Sequence, residues 1–131
     1  MTAKRVADRP RVLAAARLGA PAAAELRRLV DLEQAQWQPG ERWSSRELIR
    51  RLGGIDALLI EEQDPVGRVD DAVCAAAESL KFVVFAGRNP PVDLGAATQQ
   101  GILVCNAPGM NAAAVADLTV AFIIMLSLIH I

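Results

Sequence analysis

The sequence predicts an α/β protein, a doubly wound parallel sheet of five strands with helices on both faces. Three observations carry that expectation. The run Phe82-Val83-Val84-Phe85 has no polar alternation, which suits a strand covered on both faces of a parallel sheet. Strand-like and helix-like segments alternate along the whole chain with short connections. Two Gly/Pro loops, at 86–91 and 107–111, leave the carboxyl ends of strands, where parallel sheets bind their ligands.

The bulk numbers set the frame. A chain of 131 residues is one ordinary domain and can bury a core without staples. Its apolar share leans on Ala, with few aromatics, which favours packed helices over a sheet sandwich. A net charge of -1 leaves no electrostatic footprint for nucleic acid. Cys74 and Cys105 form no metal-binding spacing and read as small hydrophobic thiols of a reduced, cytoplasmic chain. Lys4, Arg5, Arg9 and Arg11 precede Ala-rich sequence, but Arg17 and Pro21 break the apolar core that a secretory signal needs. Residues 118–131 are very apolar, yet too few to span a bilayer without including Asp117. A buried helix is expected there, and no membrane partner.

In chain order, residues 11–18 (RVLAAARL) read as the first strand, entering a helix near Pro21 whose apolar face holds Leu26, Leu29 and Val30. Residues 33–38, around Trp37, read as a short second strand. Ser44-Ser45-Arg46-Glu47 carries a capping box, starting a helix that turns Leu48, Ile49 and Leu52 inward and stops at Gly53-Gly54. Residues 55–60 (IDALLI) make the third strand. Asp64-Pro65 supplies an N-cap and first turn for a helix through Val66, Val69, Val73 and Ala76 to Ser79. Residues 80–86 form the fourth strand, Asp93 caps a short helix ending at Gly101, and 102–105 form the fifth. Asn111 caps the last helix. The architecture is flavodoxin-like.

Several residues invite a chemical role. Glu61-Glu62 ends a strand, but neighbours on a strand point to opposite faces, so a solvated strand end is the expectation rather than a catalytic dyad. A phospho-acceptor domain of this architecture needs acids after the first strand, where Arg17-Leu18-Gly19 stands instead. His130, the only histidine, lies beside the terminus and receives no catalytic role. No G-x-G-x-x-G follows a strand, so the phosphate-gripping turn of a dinucleotide fold is not in this sequence. The loop Ala86-Gly87-Arg88-Asn89-Pro90-Pro91 offers backbone N–H groups, a guanidinium and a carboxamide to an anion. Ala107-Pro108-Gly109-Met110-Asn111 opens a helix whose start favours negative charge.

The segment VDLGAATQQGILVCNAPGMNAAAVADLTVAFIIML at 92–126 closely resembles the D-isomer-specific 2-hydroxyacid dehydrogenases, the family of phosphoglycerate, glyoxylate/hydroxypyruvate and formate dehydrogenases. The family pattern V-D-L-x-A-A-T-x-x-G-I-x-V-x-N-A-P-G-x-N-x-x-x-V-A-[ED] runs from Val92 to Asp117 with few departures. DALLIEE and SLKFVVFAGR are also similar, so the resemblance covers roughly 54–126 and is topological before that. It implies a flavodoxin-like catalytic domain joined by a long helix to a Rossmann NAD domain, with the active site between them. By position, Asn111 matches the Asn at the interdomain turn and Val115 a Val against the nicotinamide, while Asp117 stands where the family has Glu or Asp. Gly87, Arg88 and Asn89 fall in the loop that holds the substrate carboxylate through backbone N–H groups. GRNPPVD departs there from the family's commoner glycine-rich spacing.

The implied organisation is a substrate-binding domain over 1–110, an interdomain helix over 111–126 and a tail over 127–131. That tail resembles translated adapter sequence and is expected to be non-native. The family's cofactor turn and catalytic Arg, Glu and His lie beyond this sequence. The chain is therefore expected to be the substrate-binding part of an NAD- or NADP-dependent oxidoreductase acting on a small 2-hydroxy or 2-keto acid. The parent is expected to be homodimeric. No catalytic residue, bound cofactor or metal is expected in the chain itself. The rival reading is a stand-alone flavodoxin-like regulatory or ligand-binding module.

Overall fold

The computed structural model describes residues 9–129, so His130, Lys4 and Arg5 lie outside the described residues. The chain forms β1 (Arg11–Ala14), α1 (Ala20–Leu29), β2 (Asp31–Gln34), α2 (Ser45–Arg51), β3 (Ala57–Glu61), α3 (Asp71–Ala76), β4 (Phe82–Ala86), α4 (Leu94–Gln99), β5 (Leu103–Asn106) and α5 (Ala112–Leu128). The five strands pair in parallel in the order β2-β1-β3-β4-β5. The predicted α/β, flavodoxin-like architecture is the observed one.

Local chemistry explains most element boundaries. Pro21 sits in the first turn of α1, where its missing N–H has no role. The Ser44 hydroxyl accepts the Glu47 N–H at the start of α2. Glu47 does not reach back to complete the capping box, because Arg50 and Arg51 hold its carboxylate. Gly54, at φ +71°, turns the chain out of α2. The Asp93 carboxylate caps α4 through the Ala96 N–H, and Gly101, at φ +70°, releases the chain into β5.

The first strand ends at Ala14, short of the expected 11–18, and two further elements are placed differently. The second strand is Asp31–Gln34, two residues earlier than 33–38, and Trp37 lies outside it. Pairing starts as soon as α1 ends, with Asp31 N–H donating to the Pro10 carbonyl. Asp64-Pro65 starts no helix. The Asp64 carboxylate instead accepts the N–H groups of Glu61 at 2.8 Å and Val66 at 2.7 Å, a local side-chain turn that competes with helix. Val66 and Val69 then run extended, bridging to Trp43 and Val92, and α3 begins only after Asp70.

The core lies on one face of the sheet. Leu13, Leu58, Ile60, Val83 and Phe85 pack against Leu48 and Leu52 of α2, Val73 and Cys74 of α3 and Ala97 of α4. Right-handed crossovers place α1 alone on the other face, because only the β1-to-β2 step runs leftward in the strand order. There Ala14 and Ala16 are buried, but Phe82 is 42% exposed and Leu103 60% exposed. Among the described residues the expectation that β4 is covered on both faces is thus not met: one helix cannot span five strands.

The expectation of a buried last helix is also overturned. No residue of α5 is buried, although it is apolar on every side. Among the described residues no helix is long and apolar enough to cross a membrane.

Two predictions follow from this packing. The open sheet face and α5 expose many large apolar side chains, Phe82 and Leu103 on the sheet and Phe122, Ile123 and Met125 on the helix, the kind of surface that drives association, so the purified chain should associate in sedimentation velocity. A single monomeric species at high concentration would contradict this. Burial raises the Asp64 carboxyl from 3.8 to about 6, against the two N–H groups that favour its charged form. The folded state therefore holds this proton more tightly than the unfolded chain, and stability should fall as pH rises from about 4 to about 6. Urea unfolding across that range should show the decline, and Asp64→Asn should remove it. An identical pH profile in the variant would show that Asp64 is not its source.

Candidate functional site

The direction of strand addition reverses between β1 and β3, and such a reversal parts the loops above the carboxyl ends and opens a crevice. Here that crevice is a cleft of about 490 Å³. Arg17 follows β1, Glu61, Glu62 and Gln63 close β3, Gly87 and Arg88 follow β4, and Met110 and Asn111 lead into α5. The Glu61-Glu62 pair is therefore a wall of this cleft and not only a solvated strand end.

Hydrogen bonds fasten the loops to one another. Arg17 N–H donates to Glu61 Oε1 at 3.0 Å, bridging the crevice between β1 and β3. The Arg17 guanidinium lies over the Trp37 ring at 5.7 Å. Ala107 N–H donates to the Gly87 carbonyl at 3.1 Å, and Asn106 Nδ2 to the Arg88 carbonyl at 2.6 Å. The loop after β4 is thus tied to the end of β5 at two consecutive carbonyls.

Gly87 is required by close approach: a Cβ there would stand 2.5 Å from the Phe85 ring. Its own N–H donates to the Phe85 carbonyl at 2.9 Å. The Gly87 N–H is therefore committed internally and cannot also grip a carboxylate, whereas those of Arg88 and Asn89 have no partner among the described residues. Asn89 lines an adjoining hollow of about 340 Å³ with Arg88, Asp64 and Arg42, whose Nη1 donates to the Asp64 carbonyl at 2.7 Å.

The fold brings Gly87, Arg88 and Asn111 into one cleft, with Asn89 beside it. Asn111 stands at the start of α5 but does not cap it through its side chain. Its ψ of 7° departs from the extended backbone that a capping side chain needs, and Ala112 N–H turns to the Gly109 carbonyl instead. Asn111 lines the cleft with its amide free of that cap. Val115 is outside the lining, one turn along α5 and exposed. Sequence reasoning missed Arg17 and Asn106 as members of the site. Asn106 lay in the quoted motif, but nothing near Arg17 in sequence signals Glu61.

Among the described residues no group of three or more His, Cys, Asp and Glu is placed to hold a metal ion. The turn after β1, Ala15-Ala16-Arg17-Leu18-Gly19, has one glycine where the pyrophosphate turn of a dinucleotide fold is glycine-rich.

Gly87→Ala should destabilise the chain by about 1–3 kcal/mol, since the new methyl overpacks the buried Phe85 ring. Equilibrium unfolding measures this, and an unchanged midpoint would mean the ring yields freely.

Comparison with known proteins adds a relationship. The family described as D-isomer specific 2-hydroxyacid dehydrogenase, catalytic domain, matches residues 12–122. A D-3-phosphoglycerate dehydrogenase of Archaeoglobus fulgidus is 38% identical over 82 residues, covering 62% of this chain and 15% of the relative. A glyoxylate reductase of Thermofilum pendens is 32% identical over 120 residues, covering 88% of this chain and 33% of the relative. A Pyrococcus horikoshii protein known from its crystal structure superposes with a TM-score of 0.69 at 27% identity, covering 86% of this chain and 32% of that one. The chain thus spans at most about a third of the length of these relatives.

Proposed function

Because the chain belongs to the D-isomer specific 2-hydroxyacid dehydrogenase family, we propose that it forms the substrate-binding wall of an oxidoreductase acting on a 2-hydroxy or 2-keto acid. The observation that carries this reading is the convergence of Arg88, Asn111 and the β4 loop on one cleft at the strand reversal. Family membership in a catalytic domain leaves the stand-alone regulatory module without support.

In this reading the substrate carboxylate is held by the Arg88 guanidinium and the N–H groups of Arg88 and Asn89. Charge-assisted hydrogen bonds of this kind are short and strong. Gly87 contributes shape, letting the loop pass the Phe85 ring, and its carbonyl anchors the loop to Ala107. The uncapped Asn111 amide orients the oxygen on C2. A nicotinamide cofactor, NAD or NADP, supplies the hydride when bound. Its dinucleotide is assigned to a domain outside this chain, with Val115 of α5 meeting the nicotinamide side. Homodimer assembly through apolar surface such as α5 belongs to the same proposal. Two free thiols, Cys74 and Cys105, suit a reducing cytoplasm.

The test uses the chain itself. Arg88→Ala should weaken glycolate binding by about tenfold or more, the worth of a hydrogen bond to a charged group, in an amide-shift NMR titration. Undiminished binding would sink the assigned role of Arg88. The chain alone should not oxidise NADH with glyoxylate or hydroxypyruvate, and measurable turnover would show that the cofactor site has been misplaced.

A further inference from the structure

Resting on that reading, we propose that the cleft selects an acid of four carbons or more that carries hydroxyl groups beyond C2, with Glu62 as the residue that reads them. The cleft of about 490 Å³ is shared in that reading with the nicotinamide, and beside Arg88 it leaves room for an acid longer than two or three carbons. Its chemistry away from Arg88 is mixed. Glu61, Glu62 and Gln63 face Arg17 across the crevice between β3 and β1.

The alternatives for the rest of the ligand differ in what they would meet there. A second anionic group would meet the Arg17 guanidinium but also the carboxylates of Glu61 and Glu62 beside it. An apolar tail would strip water from charged groups and return no hydrogen bond. A hydroxyl suits both partners, donating to a carboxylate, which only accepts, and accepting from a guanidinium, which only donates. Glu61 already spends Oε1 on the Arg17 N–H. Glu62 has no hydrogen-bond partner among the described residues and is exposed at the cleft. Arg17 is steadied by Trp37 behind it and by that backbone bond.

The spacing also fits. Arg88, Glu62 and Arg17 leave the neighbouring strands β4, β3 and β1. Two strand spacings amount to about 10 Å, the reach of a short sugar acid with its end groups. An acid lying across the strand ends would place its carboxylate at Arg88, its middle hydroxyls at Glu62 and its far end at Arg17.

The experiment is an amide-shift titration of the chain with three acids: erythronate, 2-hydroxybutyrate of equal length without the extra hydroxyls, and the dianion 2-hydroxyglutarate. Erythronate should bind about tenfold tighter than 2-hydroxybutyrate, the worth of one hydrogen bond to a charged group. Glu62→Ala should bring that ratio close to one, and Glu62→Gln, which keeps an acceptor oxygen, should restore part of it. Equal affinities in the parent chain, an unchanged ratio in Glu62→Ala, or tighter binding of 2-hydroxyglutarate would each overturn the inference while leaving the carboxylate-binding reading intact. No shift with any of the three acids would overturn that reading and the inference with it.

Discussion

Between β1 and β3 the chain reverses the direction in which it adds strands, so α1 and α3 depart to opposite faces and a crevice opens above the strand ends. The cleft, the loops that line it and the fastening between them all depend on this reversal. Parallel pairing supplies the other half of the constraint. With every strand running the same way, the loops after β1, β3, β4 and β5 emerge at one edge. Residues as distant in sequence as Arg17 and Asn111 therefore share a wall.

The same reversal distributes the core unevenly. Three helices crowd the face that buries Leu58, Val83 and Phe85, and one helix serves the other. The sheet is well covered where Ala14 and Ala16 meet α1 and opens progressively toward Phe82 and Leu103. The apolar α5 adds to this surplus without relieving it, since none of its residues is buried. Apolar surface on this scale is free energy waiting for a partner. The cleft is lined by charged and amide groups and the open sheet face by apolar ones, so the two kinds of surface are kept apart.

Loop construction follows a consistent rule here: charged or amide side chains are spent on backbone groups. Asp64 takes two N–H groups at the end of β3, Asn106 holds the Arg88 carbonyl, and Glu61 holds the Arg17 N–H. Each bond removes freedom from a segment that would otherwise be loose, and each leaves neighbouring donors to the solvent. In the loop after β4 the division is sharp. Gly87 is bound on both its N–H and its carbonyl, while the next two N–H groups have no partner among the described residues.

Five strands, the parallel class, both Gly/Pro loops and the caps at Ser44 and Asp93 were legible in the sequence, because each depends on residues within a few positions of one another. So was the family, through a long pattern from Val92 to Asp117. The tertiary structure alone decided the rest. Asp64-Pro65 looks like a helix start until its carboxylate is seen bridging Glu61 and Val66. An all-apolar strand such as β4 looks doubly covered until the crossovers show how many helices reach each face. Arg17 joins the cleft through a bond to Glu61, 44 residues away, that no local pattern encodes. Periodicity records what each segment needs, and only the packed chain decides whether it is met.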